Sequence, residues 1–205
     1  MKKSVMVLGS MSSLVLGLAL NLSGALADDI RLGTPAYGGS GCPGGSASTV
    51  LSPDNKSLSI LFDNYAAEAG SSNNKTLDRK TCNVAIPVHV PQGFSVSLIG
   101  VDYRGFNDLP AGATNDFSVE YFFAGSQGPR DTQRFTGPLS EDYLISHELV
   151  ATALIWSACG KDVILRSNSS VVVRNPDLSQ DAQSSVDSID LKAGIIYQLQ
   201  WKRCN

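Results

Sequence analysis

The chain has 205 residues, 42% of them hydrophobic and 17% charged, with 16 basic and 19 acidic side chains and a formal charge of −3. So large an apolar share with so small a net charge excludes a disordered chain. The lack of a basic excess removes nucleic acid as an expected partner, and the length fits a single domain.

The N-terminus reads as an export signal. Met1, Lys2 and Lys3 form a short positive start, Val5 to Leu20 is mostly apolar, and Ala25-Leu26-Ala27 places small residues at the −3 and −1 positions of a cleavage site. Serines at positions 10, 12 and 13 interrupt the apolar stretch, which suits a cleaved signal better than a membrane span. Residues 1–27 are therefore expected to be removed. The remaining chain is expected to have no membrane span and to work outside the cytoplasm, in the periplasm or the medium. Residues 28–49 read as a Gly/Ser-rich arm, and residues 50–205 as one domain. The glycine run from Gly38 to Gly45 lacks the Gly-Lys-Ser/Thr ending that a phosphate loop needs.

Period-two patterns follow. Leu58, Ile60 and Phe62 share one face of a predicted strand. Val84, Ile86, Val88 and Val90 share another, and Pro87 on its opposite face marks a sheet edge, because proline donates no ladder hydrogen bond. Phe94, Val96 and Leu98 alternate with serines toward Asp102, and Phe117, Val119, Tyr121 and Phe123 form a further apolar face. The run from Glu148 to Trp156 reads as strand or helix. Val163 to Leu165, Val171 to Val173 and Ile195 to Trp201 complete the series. Residues 104–116 and 125–142 are expected to be long loops, and residues 175–190 a polar connection. The pattern predicts an all-β chain: an antiparallel β-sandwich with long loops and two disulfides.

The cysteines are Cys42, Cys82, Cys159 and Cys204. An even number in an exported chain implies two disulfides with three possible pairings. Cys42–Cys82 with Cys159–Cys204 is preferred, since each bridge then clips its own end of the chain and the second holds the last strand. No CxxC pair or paired histidine spacing supports a metal site. No cofactor is expected.

Several short runs occur in order: Gly41-Cys42-Pro43-Gly44-Gly45-Ser46, Arg79-Lys80-Thr81-Cys82, Pro91-Gln92-Gly93-Phe94, Asp102-Tyr103-Arg104-Gly105-Phe106, Phe135-Thr136-Gly137-Pro138, Trp156-Ser157-Ala158-Cys159-Gly160 and Gln200-Trp201-Lys202-Arg203-Cys204. Together they resemble a family of small secreted proteins of bacteria and fungi catalogued only as a domain of unknown function. The resemblance implies export and the four-cysteine framework. It implies no activity and carries over no catalytic residue.

Catalytic chemistry finds little support. His89 and His147 are the only candidate general bases, and no Gly-x-Ser-x-Gly elbow exists. His89 is expected to be exposed, and His147 to sit at a strand edge. Asp102 and Glu120 are the acids a hydrolase would use, but Glu120 faces away from its strand's apolar side. The acid-rich stretches at Asp177–Asp181 and Asp187–Asp190 lack EF-hand spacing. The expectation is a non-catalytic binding module for a cell-surface polysaccharide or a protein, with a secreted hydrolase and an inhibitor or envelope structural protein as alternatives. The interaction residues are expected at Asp102, Tyr103, Arg104 and Phe106, which combine charge and aromatic area beside a glycine. The competing expectation there is a structural turn closed by an Asp102–Arg104 ion pair.

Overall fold

The structure is a computed structural model and describes residues 31–53, 57–148, 156–186 and 195–204. The expected signal segment and most of the Glu148–Trp156 run lie outside the described residues. The described residues form strands and no helix: β1 (Arg31–Leu32), β2 (Ala36–Gly38), β3 (Ala47–Leu51), β4 (Ser57–Phe62), β5 (Ala66–Gly70), β6 (Leu77–His89), β7 (Phe94–Leu109), β8 (Thr114–Phe123), β9 (Arg130–Thr136), β10 (Leu139–Glu148), β11 (Val163–Arg174), β12 (Asp181–Val186) and β13 (Ile195–Arg203).

These strands make two antiparallel sheets. A six-stranded sheet runs β1-β6-β11-β8-β9, with β2 also on β6; a seven-stranded sheet runs β3-β4-β13-β7-β12-β5, with β10 also on β7. Alternation places one face of each strand inside. From the six-stranded sheet come Val84, Ile86 and Val88 on β6, Phe117, Val119 and Tyr121 on β8, and Leu165, Val171 and Val173 on β11; from the seven-stranded sheet come Leu58 and Ile60 on β4 and Val96, Leu98 and Val101 on β7, all within 1% of full burial. Burying side chains of this size stabilises the fold by about 1.5–3 kcal/mol each for the larger ones.

The buried tyrosines carry polar links from one sheet to the other. Tyr65 Oη lies 2.9 Å from Ser169 Oγ, and Tyr103 Oη lies 3.2 Å from Ser167 Oγ, so two serines on the inner face of β11 satisfy two phenols. Asn115 on β8 donates through Nδ2 to Asn107 Oδ1 on β7 at 3.1 Å and to Ser184 Oγ on β12 at 2.6 Å. Such buried polar groups are stable only when paired, so these contacts also fix how the sheets are set against each other.

The expected disulfides are both present, Cys42–Cys82 and Cys159–Cys204, closing loops of 40 and 45 residues. Each is worth about 4 kcal/mol in the chain-entropy description. The first anchors the Gly/Ser-rich segment, which also lays β1 and β2 along one edge of β6. Pro87 falls in the gap between these two short strands, so the sheet edge expected from that proline is a broken one. The two segments read as long loops are mostly strand: residues 104–116 continue β7 and start β8 across a turn at Pro110–Ala113, and residues 125–142 contain β9 and the start of β10. Part of the 175–190 connection is β12.

One irregularity decides which side chains face out. Along β7 and β13, Gln198 pairs with Gly100 but Leu199 pairs with Leu98, so Ile99 is an extra residue in β7. A bulge of this kind reverses the inside–outside phase of a strand. Before it Val96 and Leu98 face the core; after it Val101, Tyr103, Gly105, Asn107 and Leu109 do.

Gly105 is one point where the chain accepts no side chain. A Cβ there would run into the carbonyl of Ser185 and the ring of Tyr143, whereas a Cβ at Gly44 meets nothing within 4 Å. Urea unfolding should therefore show Gly105→Ala destabilised by about 1–3 kcal/mol, the usual cost of overpacking, and Gly44→Ala within about 0.5 kcal/mol of the parent. Equal stability of the two variants would contradict the packing described.

Candidate functional site

Strand alternation splits the predicted interaction residues, and the bulge at Ile99 sets which of them face out. Asp102, Arg104 and Phe106 lie on the outer face of β7, and Tyr103 lies in the core at 0% exposure with its hydroxyl on Ser167. Tyr103 is thus a packing residue, against Phe117 at a ring-centroid distance of 4.7 Å. No turn occurs here, because β7 runs straight through the segment. Among the described residues no ion pair joins Asp102 to Arg104.

What surrounds the other three is set by β10. Across the β7–β10 ladder Asp102 pairs with Ser146, Arg104 with Leu144, and Phe106 with Asp142. On the other edge of β7, β13 ends its pairing at Tyr103 and β12 begins at Gly105, which leaves Arg104 at the junction. The Arg104 Nε is buried without a hydrogen-bond partner. Beside it Leu144 is 57% exposed and Phe106 36%. The result is an outer strand face on which apolar side chains, carboxylates and one guanidinium alternate.

Glu120 belongs to the opposite outer face, where it accepts a hydrogen bond from Arg130 Nη2 at 3.1 Å. Asp102 and Glu120 therefore stand on opposite sides of the sandwich and cannot act as an acid pair across one cleft. The acids of the 177–181 turn spend their oxygens locally. Asp177 accepts from Ser179 and Gln180, and Asp181 from Ser71 and Ser72, which holds both carboxyls below the usual range.

Each histidine has an aspartate. His89 Nδ1 lies 2.9 Å from Asp162 Oδ1, which also accepts the Val90 amide at 3.0 Å. The pair borders an open cleft of about 630 Å³ between β1, β6 and the start of β11. No residue lining that cleft carries a hydroxyl or thiol, so it offers no serine or cysteine nucleophile. His147, expected at a strand edge, is instead turned inward, its side chain 10% exposed. Tyr121 Oη lies 2.8 Å from its Nδ1. Asp131 Oδ2 lies 2.7 Å from its Nε2, a contact that becomes an ion pair only when the ring is protonated, and the geometry is not that of a hydrogen bond. Sequence reading missed this Tyr121–His147–Asp131 group because its members come from three strands. The only signal was that His147 and Tyr121 both fall on inward phases.

The class is thus that of secreted all-β proteins held by two disulfides. Residues 28–204 match the family described as Domain of unknown function (DUF4360), and the chain belongs to that family. It is 33% identical over 178 residues to an uncharacterized secreted protein of Arthroderma benhamiae, a match covering 86% of this chain and 73% of that protein. Among solved structures it is similar to TmCBM61 in complex with beta-1,4-galactotriose, at 11% identity over 83% of this chain and 88% of that one; the TM-score of 0.32 is too low to transfer a residue or a ligand. The secreted relative and the disulfides place the protein in an oxidising compartment outside the cytoplasm.

Burial lowers the pKa of His147, against the opposing pull of Asp131. The folded state therefore binds its proton later than the unfolded chain does. Stability from this group is fully present above the unfolded value of about 6.5 and is lost as pH falls from there toward the folded pKa. Unfolding free energy measured between pH 7.5 and 5.5 should fall with acidification, and His147→Gln should flatten that dependence. An unchanged slope in the variant would show that His147 does not set it.

Proposed function

We propose that this protein is a non-catalytic binding module that holds neutral cell-surface glycan on the outer face of its seven-stranded sheet. The observation that carries the reading is the cluster on β7 and β10: Phe106 and Leu144 exposed, Asp102 and Asp142 beside them, and Arg104 with a buried Nε lacking a partner. Each type of side chain matches one part of a sugar. Pyranose rings present C–H faces that pack on aromatic and aliphatic surface. Carboxylates accept hydroxyl hydrogens, and a guanidinium donates to ring and hydroxyl oxygens. A long strand paired on both edges offers an extended polymer a continuous line of contacts. Pre-set side chains of this kind lose little freedom on binding.

The test is retention of the chain from Asp28 onward on insoluble cell envelopes and on neutral polysaccharides, beside an Arg104→Ala/Phe106→Ala variant first checked for folding. Saturable binding should weaken about tenfold or more in the variant, as for truncating two contact side chains at about 1 kcal/mol each. No retention on any matrix, or equal retention of parent and variant, would overturn the proposal. Retention only by a protein component of the envelope would replace glycan with a protein partner.

A further inference from the structure

The outer face of the six-stranded sheet has a different chemistry. In a chain whose acids outnumber its bases, the outer positions of β6, β8, β9 and β11 gather five arginines, at positions 79, 130, 134, 166 and 174, against two acids, Asp116 and Glu120. The surplus across these four strands is three positive charges. The outer face of the seven-stranded sheet carries the reverse balance, with Glu68, Asp102, Asp108 and Asp142 against Arg104 and Lys202.

The arginines are arranged, not scattered. Arg79, Val172, Asp116 and Arg134 follow one another across four neighbouring strands, a row about 14 Å wide at the usual strand spacing. Asp116, its side chain only 13% exposed, holds two of them. Arg134 donates to it through Nε and Nη2 at 2.5 and 2.9 Å, and Arg174 through Nη1 at 2.5 Å. The hydrogen bond from Arg134 leads the effects that keep the Asp116 carboxyl below its usual range, and the same bond raises Arg134. One carboxylate thus fixes two guanidiniums and cancels one of their charges. Both heads remain open to solvent, at 65% and 47% side-chain exposure. Guanidinium forks held in place this way are suited to carboxylate, sulfate or phosphate oxygens. Two strand positions beyond Glu120 along β8, Phe122 faces out beside Arg166 and adds a ring to the same surface.

We infer that this face is a second binding surface, for an acidic polysaccharide. It stands independently of the neutral-glycan reading of the opposite face. A surplus of three charges on an otherwise acidic protein matches a polymer with about one anion per sugar. It matches a duplex nucleic acid poorly, since phosphate density there is high and the rest of the protein repels it. Phe122 gives a sugar ring somewhere to lie. The protein contacts the polymer with both an anion-pairing row and a stacking position.

The experiment measures binding of the chain from Asp28 onward to polygalacturonate and to dextran sulfate, with uncharged dextran, duplex DNA and anionic vesicles as comparisons. Binding to the two acidic polysaccharides should be saturable, absent on dextran, and abolished near 1 M salt, where the screening length is about 3 Å. Arg134→Gln/Arg174→Gln should weaken it about tenfold, as for two exposed ion pairs. That variant strands Asp116, so Arg79→Gln/Arg166→Gln, which touches no ion pair of Asp116, is measured beside it and should also weaken binding. Arg104→Ala/Phe106→Ala should leave it unchanged, which separates this surface from the one on β7. Unchanged binding in Arg79→Gln/Arg166→Gln, equal binding to dextran, or tighter binding to DNA or vesicles would overturn the inference. Self-association lost in the same variants, with no polysaccharide bound, would show that the face meets a second copy of the chain instead.

Discussion

One extra residue in β7 governs how this molecule presents itself. Were Ile99 paired in regular alternation and not bulged, the phase set by Val96 and Leu98 would carry Asp102, Arg104 and Phe106 into the core and turn Tyr103 out. Two carboxylate and guanidinium side chains would then be buried with no partner, at a cost no sandwich of this size could absorb. The bulge instead sends Tyr103 inward to Ser167 and Phe117, and the charged residues outward. The rest of the seven-stranded sheet builds on this phase: β13 and β12 lie along one edge of the same strand, and β10 along the other.

Polar groups inside the sandwich follow from the same economy of space. Small serines on β11 stand opposite tyrosines on the facing sheet, so each phenol reaches a hydroxyl without opening a cavity. His147 extends this to the side where β9 and β10 approach, with Tyr121 on one ring nitrogen and Asp131 against the other. Charge, by contrast, is sorted by face. Acids and apolar side chains share the outside of one sheet, and arginines dominate the outside of the other. A two-layer fold makes such sorting possible, since its two outer faces never meet.

Much of the fold was legible in the sequence, and for physical reasons. Strict alternation at Val84–Val90 and Phe117–Phe123 named strands that are buried on one side only, and cysteine placement named both bridges. The segments taken for loops were obscured by their inward polar residues. Asn107 and Asn115 sit at core positions, where the Asn115 amide donates to Asn107 and to Ser184 on β12. β9 lacks an apolar stripe because nearly all of it is exposed. For the candidate site, Asp102, Arg104 and Phe106 share one face of β7, whereas Tyr103 falls on the other, because a segment expected to be a turn is a strand and alternates. The arginine face was not legible at all. Its members are up to 95 residues apart and only strand pairing brings them onto one face.

The central claim is that binding occurs on outward-phase side chains of β7 while their inward neighbours only pack. Aromatic proton–carbon spectra of the chain, titrated with a soluble oligosaccharide released from a retained envelope, test it most directly. The Phe106 ring signals should move with saturation while those of Tyr103 and Tyr121 stay fixed. Shifts at the ring of His89 with none at Phe106 would move the site to the cleft beside Asp162 and contradict the account.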